Sequence, residues 1–204
     1  MLIHVHPVDP PQRQVTMVAD SLRKGGVVIY PTDTVYGFGC DIFNQKAVER
    51  ICQLKHIDPQ KANLSFVCAD LSDLSRYARS ISTPVYRMIK SHIPGPFTFI
   101  LPASKEVPRI LQNKKKTIGL RVPDSRIAQA IIRELGNPIL SSSLPGEMVE
   151  EYTDPELILE KFGKQVDMVV DGGVGGMYYS TIIDLTEQVP VIIRQGAGDW
   201  GGEI

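Results

Sequence analysis

The strongest constraint on this chain is a short apolar run that stops abruptly. Val27-Val28-Ile29-Tyr30 is apolar and β-branched, the mark of a buried strand. It empties into Pro31-Thr32-Asp33-Thr34-Val35-Tyr36-Gly37-Phe38-Gly39, where proline and glycines predict a loop. A buried strand of this kind belongs inside a sheet with helices packed on it.

The rest of the chain supplies those partners. Leu2–His6 alternates like a short strand, and Asp9, Pro10 and Pro11 open a helix that Arg23-Lys24-Gly25-Gly26 closes. Asn44 caps a helix with Ala47, Val48, Ile51 and Leu54 at helical spacing. Leu64–Cys68 reads as a strand and Leu71–Tyr77 as a short helix. Thr83-Pro84 starts another helix, which Pro94-Gly95-Pro96 stops. Phe97–Leu101 and Thr117–Val122 are strands around a basic loop. Asp124 caps a helix with Ile127, Ala130, Ile131 and Leu135 on one face, closed by Gly136. Ile139–Ser142 is a strand, Thr153-Asp154-Pro155 opens the last helix, and Gly163 ends it. Val166–Val170, Thr181–Leu185 and Val189–Ile193 finish as strands. Strands and helices alternate early and strands dominate late. The pattern predicts an α/β fold: a single-domain, twisted, open mixed sheet, parallel in part and flanked by helices.

With 204 residues, 43% of them hydrophobic, one domain over residues 1–204 buries roughly 70% of its unfolded surface and needs no staples. No linker rich in Pro, Gly or Ser divides it. Cys40, Cys52 and Cys68 form no CxxC pair and have no metal-ligand spacing, which fits reduced thiols in a cytoplasmic core. No metal site is expected, and His4 and His6 read as surface histidines. Met1–Pro7 lacks the charged start and apolar core of a signal peptide. No apolar stretch approaches the ~20 residues that span a bilayer, so no membrane partner is expected. The net charge of −1 hides an asymmetry: residues 1–145 carry 19 Lys and Arg against 11 Asp and Glu, and residues 146–204 carry 3 against 12. A basic stretch this long points to an anionic partner such as nucleotide or RNA. The other reading is a fold that interleaves the two halves and cancels their fields.

Three places offer chemistry. The loop after Tyr30 lies where ligands of open α/β sheets gather; Thr32 and Thr34 offer hydroxyls and Tyr36 a ring for stacking. An ordinary turn, satisfying its own backbone, accounts for the same residues. The cations Lys55, Lys61, Lys114-Lys115-Lys116, Arg121 and Arg194 form the second set. A lysine run is commonly a solvated face. Arg121 and Arg194 end apolar strands, so partly buried guanidinium groups there need an anion, a carbonyl or a structural carboxylate. Ser141-Ser142-Ser143 end a strand, where hydroxyls either reach phosphate or satisfy a turn. No GxSxG elbow surrounds them. Asp171-Gly172-Gly173-Val174-Gly175-Gly176 lacks the Gly-Lys-Ser/Thr ending of a phosphate loop.

Several of these segments, taken in order, resemble the YrdC/YciO family, the threonylcarbamoyl-adenylate synthase superfamily. They are Tyr30-Pro31-Thr32-Asp33-Thr34-Val35-Tyr36-Gly37, Pro94-Gly95-Pro96-Phe97-Thr98, Ile118-Gly119-Leu120-Arg121-Val122-Pro123, Ser180-Thr181-Ile182-Ile183-Asp184 and Arg194-Gln195-Gly196. The resemblance implies a YrdC-like fold with a cationic concave cleft. It also implies enzymes that join L-threonine, bicarbonate and ATP, with magnesium, into threonylcarbamoyl-AMP for tRNA modification. Carried over, Lys55 and Ser143 are the catalytic pair. Lys55, Lys61, Ser143, Ser180 and Arg194 meet the nucleotide, and Thr32 with Arg121 takes threonine. The pattern departs from the family's synthases at two positions. Lys55-His56-Ile57 has isoleucine where they carry arginine, and Ser143-Leu144-Pro145 has proline where they carry asparagine. The Pro-Leu that follows their basic motif is Asn63-Leu64 here. The chain thus resembles the YciO branch more than the synthase branch. Two functions follow as expectations: an ATP-dependent synthase-type nucleotidyltransferase, or a non-catalytic module binding tRNA or double-stranded RNA through Lys114, Lys115 and Lys116. Carbamoyl transfer, as in the YrdC-like domain of hydrogenase-maturation proteins, is the third.

Overall fold

The computed structural model describes residues 1–58, 64–145, 149–187 and 189–201. Its strands in chain order are β1 (Leu2–His4), β2 (Val28–Tyr30), β3 (Gly37–Asp41), β4 (Ser65–Val67), β5 (Phe97–Pro102), β6 (Thr117–Arg121), β7 (Ile139–Ser143), β8 (Met168–Asp171), β9 (Thr181–Asp184) and β10 (Val191–Arg194). The helices are α1 (Gln12–Arg23), α2 (Gln45–Leu54), α3 (Leu71–Tyr77), α4 (Thr83–His92), α5 (Arg126–Leu135) and α6 (Pro155–Phe162). Among the described residues the strands form one twisted, open sheet in the order β1-β8-β2-β3-β7-β4-β6-β5-β9-β10. The pairs β1/β8, β2/β8, β4/β6 and β5/β9 are parallel and the others antiparallel. This is the mixed α/β sheet expected.

Side chains alternate across a strand, so each strand feeds two faces. On one face Phe38, Cys40, Phe66, Phe99, Leu120, Leu140 and Ile183 join Val48 and Ile51 of α2, Leu74 of α3, Ile89 of α4 and Phe162 of α6. On the other, Val28, Tyr30, Val67, Ile139, Met168 and Val170 pack against Val15, Val18, Ala19 and Leu22 of α1 and against Ile127, Ile131 and Ile132 of α5. α1 and α5 pack on β1, β8, β2 and the near ends of β4 and β7. The rest of that face, from β7 to β9, carries the concavity described below.

β3 corrects the expected loop: the strand pattern resumes at Gly37 and runs antiparallel to β2. Gly39 is required by its neighbours. A Cβ there would sit 2.7 Å from the Tyr30 ring and 2.9 Å from Ile139, so bare backbone accommodates two large side chains. Caps shift by one residue at two helices. Ser125, not Asp124, accepts from the Ala128 N–H, and Ser82 precedes α4, leaving Thr83 and Pro84 inside it. Ala128 and Ile132 replace Ala130 on the buried face of α5. Asn44 and Asp154 cap α2 and α6 as expected.

The acidic C-terminal part threads into the basic remainder, since β8 lies between β1 and β2. Asp171 is hydrogen-bonded to His4 Nδ1 at 2.6 Å, and Asp167 forms an ion pair with Arg50 at 2.6 Å. Part of the charge asymmetry therefore closes in local pairs. The three cysteines are buried and free, and burial pushes their thiols up in pKa. Among the described residues no helix is long and apolar enough to cross a membrane.

Candidate functional site

The floor of the concavity is one register row: Ser141, Ser65, Gly119, Ile100 and Asp184 pair in turn across β7, β4, β6, β5 and β9. The first three of these are serine or glycine, so the floor stays low. A Cβ on Gly119 would meet Ser65 Cβ at 3.2 Å and Thr98 Cγ2 at 3.4 Å. The result is a cavity of about 330 Å³. Nine hydroxyl residues line it, Thr32, Thr34, Ser65, Thr98, Thr117, Ser141, Ser142, Ser143 and Ser180, beside apolar side chains such as Val67, Ile118 and Ile182. Its charged lining residues are Lys115, Arg121, Asp184 and Arg194.

Arg121 ends β6 on the cavity side and is buried. It forms an ion pair with Asp33 and donates to Thr34 Oγ1 at 2.9 Å. Of the alternatives left open by sequence, a carboxylate partner is therefore realised, 88 residues away in the chain. Thr32 lines the cavity, but its hydroxyl serves the turn. It donates to Val35 O at 2.9 Å and accepts from the Thr34 N–H at 3.1 Å. Tyr36 is no stacking platform. Its ring is buried, its hydroxyl donates to Gly173 O at 2.7 Å and accepts from Gly172 N–H, and burial lifts its pKa to about 12.

Arg194 ends the apolar run of β10, and its guanidinium takes one of the partners expected of it, a carbonyl. β10 is an edge strand whose residues, Arg194 included, are all exposed. Arg194 donates from Nε and Nη2 to Ser180 O at 3.1 and 2.8 Å and stacks 5.0 Å from the centre of the Tyr179 ring. Desolvation, with a smaller contribution from Arg121, lowers its pKa. Ser180 is buried, with its hydroxyl 2.9 Å from Thr98 Oγ1.

Lys55 caps the C-terminal end of α2 and donates from Nζ to Ser143 O at 2.5 Å; burial lowers its pKa. It is not itself a lining residue of the cavity. Ile57 packs against the hydrophobic core, so no second cation stands beside it at that position. Lys61 and Asn63 lie outside the described residues. Of the lysine run, only Lys115 lines the cavity; Lys114 and Lys116 are exposed beside it. Sequence reasoning passed over Ser65, Thr98, Asn113, Thr117, Tyr179 and Asp184 as cavity residues. Strand alternation with Arg121 would have found Thr117, and with Ser180 would have found Asp184. Among the described residues no three His, Cys, Asp or Glu side chains are grouped to hold a metal.

The fold has known counterparts. The model of the Sua5/YciO/YrdC family (Telomere recombination) matches residues 20–196. YciO of Escherichia coli (strain K12) is 46% identical over 199 residues, covering 96% of this chain and 95% of its own. The crystal structure of E. coli YciO superposes with a TM-score of 0.91 at 44% identity, covering 98% of this chain and 97% of that one. Threonylcarbamoyl-AMP synthase of Halorhodospira halophila (strain DSM 244 / SL1) is 33% identical over 170 residues, 83% of this chain and 88% of its own. The crystal structure of P. abyssi Sua5 complexed with L-threonine matches with a TM-score of 0.87 at 32% identity, over 96% of this chain and 57% of that one. Ordered motifs, sheet topology and these matches agree, and the chain belongs to the Sua5/YciO/YrdC family.

Proposed function

We propose that the cavity binds ATP and L-threonine together and carries out nucleotidyl transfer of the threonylcarbamoyl-AMP synthase type, linked to threonylcarbamoyladenosine formation in tRNA. The observation that carries this reading is the convergence of Arg121 and Arg194 on one hydroxyl-lined cavity. Relatives named threonylcarbamoyl-AMP synthase and a Sua5 structure complexed with L-threonine add support.

In this reading the amine of threonine attacks the carbon of bicarbonate, water leaves, and the resulting carbamate presents an oxygen to the α-phosphorus of ATP. A new oxygen–phosphorus bond forms as the α–β bridging bond breaks and pyrophosphate leaves. ATP arrives as its magnesium complex. No protein nucleophile is required, so the protein aligns reactants and offsets developing charge. Arg121 takes the threonine carboxylate, with Thr32 shaping the turn beside it. Arg194 and Lys115 meet the phosphates, and Ser143 and Ser180 donate hydrogen bonds. Lys55 holds the Ser143 end of β7. Isoleucine at 57 and proline at 145 remove two polar contacts, each commonly worth about 100- to 1000-fold in rate. Turnover is therefore slow compared with synthases that keep both.

Pyrophosphate release from purified protein tests this: it should require ATP, threonine and bicarbonate together. Release that ignores threonine, or none beside an active synthase control, contradicts it.

A second reading, a non-catalytic RNA-binding module, has its own observation. Residues 74–123 carry ten Lys and Arg and one acid, Glu106. Arg79 and Lys116 flank the end of β5, through Arg79 N–H to Pro102 O at 2.7 Å and Ala103 N–H to Lys116 O at 2.8 Å. Arg79, Lys105, Lys114, Lys115 and Lys116 are exposed and form no ion pair among the described residues. Such a patch favours tRNA or double-stranded RNA through phosphate contacts that weaken with salt.

A further inference from the structure

Among the described residues three cations line the cavity, and one of them has a carboxylate paired with it. Arg194 and Lys115 form no ion pair among the described residues, whereas Arg121 is paired with Asp33. The pair is buried, with side chains 9% and 10% exposed, and its geometry is unusual. A guanidinium and a carboxylate can join by two parallel bonds. Here Arg121 uses Nη2 alone, toward Asp33 Oδ1 and Thr34 Oγ1. Arg121 Nε and Asp33 Oδ2 are both buried without a hydrogen-bond partner. A purely structural ion pair has every reason to satisfy those atoms internally.

Charge placement along β6 adds a second observation. Lys115 lies just before the start of the strand and Arg121 at its end, so the two are separated by more than about 13 Å of strand. The Lys115 end presents an unpaired cation, whereas the charge of Arg121 is offset by Asp33; Arg194 stands two strands beyond β5 on the side of Arg121, opposite Ile182. A bare Arg121 would attract any anion, the triphosphate of a nucleotide most strongly of all.

We propose that Asp33 is the selectivity residue of this cavity: by neutralising Arg121 from the turn side, it makes that end accept a zwitterionic head group and turn away plain anions. The proposal rests on the reading of the cavity as an amino-acid and nucleotide site.

Calorimetric titration with L-threonine, with 3-hydroxybutyrate (threonine without its amine) and with inorganic phosphate tests it. The native protein is expected to prefer L-threonine over 3-hydroxybutyrate by about tenfold or more. Asp33→Asn should lose that preference: 3-hydroxybutyrate and phosphate tighten, while L-threonine does not. Asp33→Glu, which keeps the charge, should retain the preference even if binding weakens overall. Equal affinity of the native protein for threonine and 3-hydroxybutyrate overturns the proposal, whether or not Asp33→Asn folds. So does an Asp33→Asn protein that weakens all three ligands by one common factor. In both cases the native protein still binds threonine, and the amino-acid reading stands. A native protein that binds no L-threonine, with or without ATP, overturns both.

Discussion

Lys55 Nζ donates to the carbonyl of Ser143 at 2.5 Å, tying the end of α2 to the last residue of β7. Two residues singled out in the sequence thus touch each other, through a side chain and a backbone oxygen. Replacing Lys55 by Met keeps the stem and removes the donor. The expected cost is about 1–2 kcal/mol at neutral pH, measured by urea unfolding. The pH dependence carries a sign. Burial holds the folded pKa of Lys55 below 10.5, so the unfolded chain binds the extra proton. Stability contributed by this group therefore rises as pH climbs from the folded value toward 10.5. Lys55→Met should lack that rise; an unchanged profile contradicts it.

Tyr30 titrates with the opposite sense. Its burial raises the folded pKa to about 12, above the ordinary 10.0. Its stability contribution is complete below pH 10 and is lost as pH rises through 12. Tyr30→Phe gives up the bond to Ser141 Oγ at 3.0 Å, costing about 1 kcal/mol at neutral pH. The decline between pH 10 and 12 should become shallower. A decline as steep as in the native protein would exclude Tyr30 as its source.

The buried Arg121–Asp33 pair makes a test by double substitution. Arg121→Leu alone leaves Asp33 charged and buried, with an expected loss of about 3–5 kcal/mol. Adding Asp33→Leu should recover a large share of that loss, because the stranded charge is gone. Simple additivity of the two losses, read from denaturant midpoints, contradicts the pairing.

Two glycines separate folding from binding. Gly39→Ala drives a methyl group into Tyr30 and Ile139, at 2.7 and 2.9 Å, and should cost about 1–3 kcal/mol of stability. Gly119→Val raises the floor between Ser65 and Thr98 and should weaken ATP binding with a smaller loss of stability. Equal effects of both on stability and binding would mean the floor is not a ligand surface.

The lysine loop is testable by salt. If Lys114, Lys115 and Lys116 meet RNA phosphates, replacing all three by Ser should flatten the plot of log affinity against log salt. The slope should fall by about one for each phosphate no longer neutralised. An unchanged slope would remove this loop from the RNA reading.

Much of the fold was legible because its signals are local. Asn44 and Asp154 are caps by chemistry, and the apolar spacing of α2 and α5 identifies helices without tertiary information. What was hidden depends on residues distant in the chain. β3 looks like a loop until Tyr30 and Ile139 are seen to need the space at Gly39. The Arg121–Asp33 pair spans 88 positions, and nothing in either segment names the other. Val189–Ile193 reads as a strand and largely forms one, but nothing in it shows that β10 is the exposed edge of the sheet; an apolar run alone does not say which neighbours a strand has. Cap positions slipped where two cap-forming residues are adjacent, as at Asp124-Ser125.

The central claim is that a nucleotide and an amino acid occupy the cavity between Arg121 and Arg194 together. Calorimetric titration of the native protein with magnesium-ATP, repeated in saturating L-threonine, tests it directly. ATP should bind, and bind more tightly with threonine present. ATP that fails to bind in either condition, or binds identically with threonine and without, contradicts it.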